Sequence, residues 1–138
     1  MGGRWAHVKT MEERFWYRVE PEPNSGCWLW NGATSSAGYG QISFPRTKRL
    51  MFAHRFAFEL LAGPIPAGTE LDHLCRVPSC VNPAHLEPVT HRVNMLRGNH
   101  PMAIAIRTGL CKRGHDLSLA SITRRGTRRC KLCRRTAA

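Results

Sequence analysis

Apolar and polar positions along this chain switch between the helical and the extended period, and the switches mark its elements. From Met11 to Val19 the residues Phe15, Trp16 and Val19 recur at the spacing of a short helix. Glu12 and Glu13 fall in its first turn, where the helix dipole favours acids. Pro21 and Pro23 are expected to end it, and Asn24-Ser25-Gly26 turns the chain into Cys27 and Trp28-Leu29-Trp30. Gly38 to Phe44 alternates as a strand does, and Pro45-Arg46-Thr47-Lys48-Arg49 forms a charged hairpin tip. Leu50 to Ala62 carries the strongest helical stripe, made of Ala53, Phe56, Ala57, Leu60 and Leu61 and stopped by Gly63-Pro64. His54 and Arg55 lie off that stripe, which reads as a hydrogen-bonded histidine and a surface arginine.

Leu71 to Leu74 predicts a short strand whose period of two sends Asp72 and His73 to opposite faces. A loop from Cys75 to His85 follows, with turns at Val77-Pro78-Ser79 and Asn82-Pro83. Glu87-Pro88-Val89 predicts a second strand, confined to a sheet edge by its proline. Thr90 is a good N-cap for a helix over His91 to Arg97, which Gly98 ends. The order is strand, loop, strand, helix. Asn99 to Gly109 reads as a linker, and residues 1–10 carry no pattern and are expected to be disordered.

The polar residues of this stretch carry two kinds of ligand chemistry. Cys75, Cys80 and His85 stand at five-residue steps, and thiolates with imidazole suit zinc. Asp72 and Asn94 offer a carboxylate and an amide oxygen, which suit a hard ion such as Mg²⁺. A structural zinc takes four ligands, and Cys27 is the one cysteine upstream. It is either the fourth ligand or a buried free thiol. Further on, Cys111-x3-His115 and Cys130-x2-Cys133 make a second set of four with ribbon or knuckle spacing. With little core of its own, such a module folds only with its metal. MGGRWAHVKTMEERF has no apolar leader region, so the six cysteines favour metal in a reducing, cytoplasmic setting over disulfides. No apolar run is long enough to span a membrane.

Charge adds a partner to this picture. The chain has 138 residues and a formal net charge of +12. Most of that excess lies between Arg107 and Arg135, where ten Lys and Arg face only Asp116. Two sites of three thiolates and one histidine would remove about one charge each and leave the balance strongly positive. A polyanionic partner follows, and nucleic acid fits better than a membrane because the basic segment has no amphipathic face. The candidates are Arg46, Lys48 and Arg49 on the hairpin tip and Arg124, Arg125, Arg128 and Arg129 in the second module. Each group also reads as solvated surface charge. With two tyrosines and no aromatic-basic repeat, single-stranded RNA is the weaker alternative to DNA.

Asp72-His73, the run Cys75-x4-Cys80-x4-His85-Leu86, and Asn94 nine residues after His85 resemble the HNH, or His-Me finger, nucleases. The match is nearest to zinc-bound members akin to the His-Cys box homing endonucleases and to HNH proteins of phages, and runs from about Phe15 to Arg97. One departure is that His85 stands where the generic motif has its asparagine. The resemblance implies an α+β fold with a small zinc-stapled ββα-metal domain over residues 1–98. By their own pattern residues 99–110 are expected to be a linker and 111–135 a basic zinc-ribbon-like module. The resemblance further implies a metal-dependent DNA endonuclease of a phage or another mobile element, with His73 as general base and one Mg²⁺ or Mn²⁺ on Asp72 and Asn94. It also supports Cys27 as a ligand of the first of two structural zincs, and Arg55 as a phosphate contact. The alternative is a zinc-stapled DNA-binding module without catalysis, and the oligomeric state, monomer or homodimer, is open.

Overall fold

The structure is a computed structural model, which describes residues 10–135. The expectation of disorder over residues 1–10 lies outside this range save for Thr10. Among the described residues the fold is mixed α+β, with four two-stranded sheets and short helices. The chain divides into two compact units, the first ending at Val89 and the second beginning at Thr90.

In the first unit, Thr10 caps α1 (Met11–Trp16) with a capping box: its side chain accepts from Glu13 N while the Glu13 carboxylate accepts from Thr10 N. The expected helix stops at Trp16, before the prolines. Val19 already pairs with Trp30 across β1 (Val19–Pro21) and β2 (Trp28–Trp30), and this pairing takes the backbone that a longer helix would use. The hairpin β3 (Gln41–Ser43) and β4 (Leu50–Phe52) turns at the charged tip expected from sequence. Its β4 half corrects the predicted helix over Leu50–Ala62. Leu50, Met51 and Phe52 bond to β3, and α2 begins only at Ala53 and runs to Leu61. Leu60 and Leu61 are correspondingly exposed, and the buried face of α2 is Ala53, His54 and Ala57.

The core gathers Phe15, Trp30, Ile42, Ala53, Ala57 and Val81, with the Phe15 ring stacked on Trp30 and against Phe56. Gly40 lets the chain cross the Trp30 ring, because a Cβ there would sit 2.6 Å from its carbons. β5 (Thr69–His73) pairs with β6 (Leu86–Thr90), and the loop between them ends in a 3₁₀ turn, Pro83–His85, capped by the Asn82 side chain. That loop is stitched to β2: Trp30 N donates to Ser79 O at 2.9 Å and Val81 N to Trp28 O at 2.8 Å.

The second unit starts with α3 (His91–Arg97), capped by Thr90 and ended at Gly98 as the sequence predicts. The expected linker over 99–110 is instead largely helical, α4 (Pro101–Thr108). The His100 ring accepts from Met102 N, Pro101 stands at the first helical position, and Gly109 closes the helix at φ 71°. Arg107 ties α4 to α3 by donating to the Leu96 carbonyl at 2.8 Å. The rest is a hairpin of β7 (Ser121–Ile122) and β8 (Arg128–Arg129), then α5 (Lys131–Arg135).

Candidate active site and metal centres

The first cluster joins four chain positions that share no local reason to meet. Cys27 enters from the turn before β2, Cys75 and Cys80 from the loop after β5, and His85 from the 3₁₀ turn. Their ligand atoms all lie within 4.8 Å of one another. His85 Nδ1 sits 3.5 Å from Cys27 Sγ and 3.6 Å from Cys80 Sγ. A tetrahedral zinc with Zn–S about 2.3 Å and Zn–N about 2.0–2.1 Å requires S···N edges of about 3.6 Å. These separations match such coordination edges, so the residues fit zinc. Asn82 Nδ2 donates to the Gly26 carbonyl at 2.8 Å, which ties the Cys27 arm to the loop. Burial foremost, with the Cys75 charge, pushes the Cys80 thiol up to about 12, so metal binding must displace its proton.

The second cluster is Cys111, His115, Cys130 and Cys133. Cys111 and Cys133 Sγ atoms are 3.7 Å apart, and His115 Nδ1 lies 3.3 to 3.6 Å from the three sulfurs. The S···S edge expected for zinc is about 3.8 Å, so this set fits as well. A tight turn presents the first pair, with Cys111 N donating to His115 O and Arg113 N pointing at Cys111 Sγ. Here too sequence spacing and structure agree. Cys27, read from sequence as either ligand or free thiol, stands in the ligand position.

Asp72 and His73 end β5. The strand's period of two predicts opposite faces for them, yet both are buried, at 4% and 6% exposure. Each face is covered in a way the alternating period does not reveal. Arg76, four residues on, bonds Asp72 Oδ1 at 2.7 Å. Over His73 lies the His54 ring, with centroids 4.9 Å apart and the planes at 63°. His73 Nε2 lies 3.0 Å from the Cys80 carbonyl. A carbonyl only accepts, so the proton is on Nε2 and the lone pair on Nδ1. Burial holds the His73 pKa below the ordinary 6.5, against the hydrogen bond to Cys80 and the charge of Asp72, which act to raise it.

His54 is the residue sequence reasoning placed wrongly. It is 7% exposed, packs on Tyr39, Phe52 and His73, and its Nδ1 has no hydrogen-bond partner. A sealed, unpaired polar atom costs about 1–3 kcal/mol. The signal available in sequence was its place three residues before Ala57, on the face that is buried once α2 starts at Ala53.

Burial, then His73 and Arg55, push the His54 pKa from 6.5 down to about 3. The unfolded chain therefore takes the proton first, and the native state loses stability as pH falls from 6.5 towards 3. At about pH 5 the loss is about 2 kcal/mol. In His54→Phe this contribution is absent. Its melting temperature, relative to wild type, is expected to rise by several degrees between about pH 7.5 and pH 5, zinc-ligand protonation being common to both. Parallel pH profiles of the two proteins contradict the assignment.

The remaining candidates stand on other elements. Asn94 is half-buried on α3, in the second unit. Arg46, Lys48 and Arg49 are exposed on the β3–β4 tip, and Arg49 and Arg55 line one cleft with Phe44 and Phe52. Arg124, Arg125, Arg128 and Arg129 are all exposed on the β7–β8 hairpin.

The family model described as HNH endonuclease matches residues 51–96, a span that holds Asp72, His73 and Asn94. Among curated proteins, "Protein 2.8" of Escherichia phage T7 is 38% identical over 71 residues, 51% of this chain and 48% of that protein. "Protein 7.7" of the same phage is 35% identical over 68 residues, 49% of this chain and 51% of its own length. The "Uncharacterized gene 5.3 protein" of Enterobacteria phage T3 is 40% identical over 52 residues, 38% of this chain and 50% of its own length. The chain thus spans about half the length of these relatives. No solved structure matches it. Among the described residues, no helix is long and apolar enough to cross a membrane.

Proposed function

We propose that this chain is a metal-dependent endonuclease that hydrolyses phosphodiester bonds of double-stranded DNA, with His73 as its general base. The observation that carries this reading is the bond from His73 Nε2 to the Cys80 carbonyl, in a segment resembling HNH endonucleases. It leaves a neutral imidazole with its lone pair at Nδ1, next to a buried carboxylate. His73 Nδ1 takes the proton of a water whose oxygen forms the new bond to phosphorus, while the bond to the 3′ oxygen breaks. Burial keeps His73 unprotonated near neutral pH, as a base must be.

Asp72 and Asn94 are the residues that would hold one Mg²⁺ or Mn²⁺, since both offer hard oxygen donors. That ion, when bound, supplies charge neutralisation at the phosphate and at the leaving oxygen. Arg76 shares the Asp72 carboxylate and holds it in place beside His73. The two cysteine-histidine clusters are read as structural zinc sites, the first bracing the loop whose Cys80 carbonyl orients the base.

The exposed arginines and lysine of both hairpins contact phosphates in this reading, with Arg55 reaching the backbone from the cleft beside Arg49. Replacing Arg124, Arg125, Arg128 and Arg129 together by alanine is expected to weaken duplex binding alike for all sequences. The slope of log affinity against log salt should become shallower by about three to four, close to 0.9 for each phosphate no longer neutralised. An unchanged slope assigns those arginines to solvated surface.

A chain with one such site cuts one strand per encounter. The setting inferred from its phage relatives is the bacterial cytoplasm during infection. The reading is tested by treating the nicked product with DNA ligase. Resealing, which needs a 5′-phosphate and a 3′-hydroxyl, is expected; a nick that resists the ligase contradicts the bond assignment above.

A further inference from the structure

The imidazole of His54 has no role in the chemistry described above, yet it packs directly on the proposed base. It lies in the first turn of α2, and its neighbours on the buried face of that helix are Ala53 and Ala57. An apolar side chain would fill the same space without sealing a polar atom. Instead a histidine lies between Phe52, stacked at 5.6 Å, and Tyr39, also at 5.6 Å, with His73 at 4.9 Å. Its Nδ1 is closed off with no partner.

That closure decides where the proton sits. An orphaned buried N–H is rarer and costlier than an orphaned lone pair, so Nδ1 keeps the lone pair and Nε2 carries the proton. Nε2 is then the nitrogen available to a ligand. His73 has its proton on Nε2 for a different reason, the Cys80 carbonyl, and presents a lone pair at Nδ1. Two adjacent rings therefore offer opposite chemistry, an acceptor from His73 and a donor from His54. The shift of the His54 pKa to about 3 agrees, since a ring that stays neutral donates one fixed proton.

We propose that His54 is a second catalytic imidazole, which donates Nε2–H to a non-bridging oxygen of the scissile phosphate while His73 deprotonates the water. This rests on the reading of the site as a phosphodiester hydrolase. A preorganised donor in a water-poor site stabilises the charge that develops as the water attacks, and removing one such donor costs about 10²- to 10³-fold in rate.

The test compares His54→Phe and His54→Gln with wild type. Phenylalanine keeps a ring against Tyr39, Phe52 and His73 but has no donor, whereas glutamine places an amide N–H near the Nε2 position. His54→Phe is expected to lose about 100-fold in kcat with duplex Kd and zinc content unchanged, and His54→Gln to recover part of that loss. A His54→Phe protein as fast as wild type, alongside an inactive His73→Ala, overturns the donor role and leaves the nuclease reading standing. If wild type itself does not cleave, the nuclease reading fails, and histidine-ring ¹⁵N–¹H spectra of the zinc-loaded protein judge His54 separately. The Nε2–H form is expected, with its resonance shifted by a short duplex in the absence of added Mg²⁺. The Nδ1–H form, or no shift at saturating duplex, overturns the proposal.

Discussion

His73→Ala is expected to abolish DNA cleavage, by at least about 10³-fold, while leaving duplex affinity and zinc content close to wild type. Loss of the buried ring and its bond to Cys80 lowers the melting temperature without unfolding the chain at the assay temperature. General-base catalysis contributes about 10²- to 10⁴-fold, and alanine leaves no group to accept the proton of the water. The loss should appear in kcat, because His73 acts on the water rather than on the bases or the distant phosphates. A structural role alone would give a different pattern. His73 ties β5 to the Cys80 carbonyl, and if that tie were its whole role, activity would fall only in step with lost zinc and lost fold. His73→Gln separates the two, since it can keep a donor to Cys80 without a base of suitable pKa: it should fold like wild type and remain inactive. Single-turnover cleavage and duplex binding measured on the same preparations check both variants.

Cys80→Ser is the second large effect, and it acts on the fold. Cys80 is fully buried, supplies a sulfur to the first cluster, pairs with Leu29 across an isolated bridge and offers its carbonyl to His73. Few other apolar side chains hold this loop, with Val81 its main anchor in the core. In small domains of this kind the metal supplies much of the folding free energy, about 10–16 kcal/mol of apparent binding energy for structural zinc at neutral pH. Serine is a poor zinc ligand, so the variant is expected to hold one zinc per chain in place of two. The first unit should lose its cooperative unfolding transition, and cleavage should disappear with it. Zinc content by elemental analysis and calorimetric unfolding are the measurements. The same zinc content as wild type with an unchanged transition would show that Cys80 is not a zinc ligand.

Much of this was legible in sequence where the determinants are local. The spacings of Cys75, Cys80 and His85 and of the second set already marked them as ligands, because tight turns such as Cys111 to His115 bring ligands together within a few residues. Cys27, far off in the chain, was left open between ligand and free thiol. The cap at Thr90 and the stop at Gly98 placed α3 for the same reason. What stayed hidden depended on distant partners. Leu50–Phe52 have a helical apolar pattern, yet β3 claims their backbone. The helix α4 was readable from Pro101 and Gly109, but its mild apolar pattern passed for a linker. His54 looked like an ordinary polar residue because nothing within α2 indicates that His73 and Tyr39 close over it. Asp72 and His73 are neighbours on one strand, both buried, and their partners, Arg76 on one and His54 on the other, are not marked by the strand's own alternation.

Whether the segment around His73 hydrolyses DNA is tested most directly by relaxation of supercoiled plasmid. Zinc-loaded wild type and His73→Ala are incubated with plasmid, with and without added Mg²⁺ or Mn²⁺. Nicked circles are expected only with wild type and only with added metal. Retention of plasmid by both proteins, in a salt-sensitive way and with no nicking under any metal, would contradict the nuclease assignment and make the chain a zinc-stapled DNA-binding module.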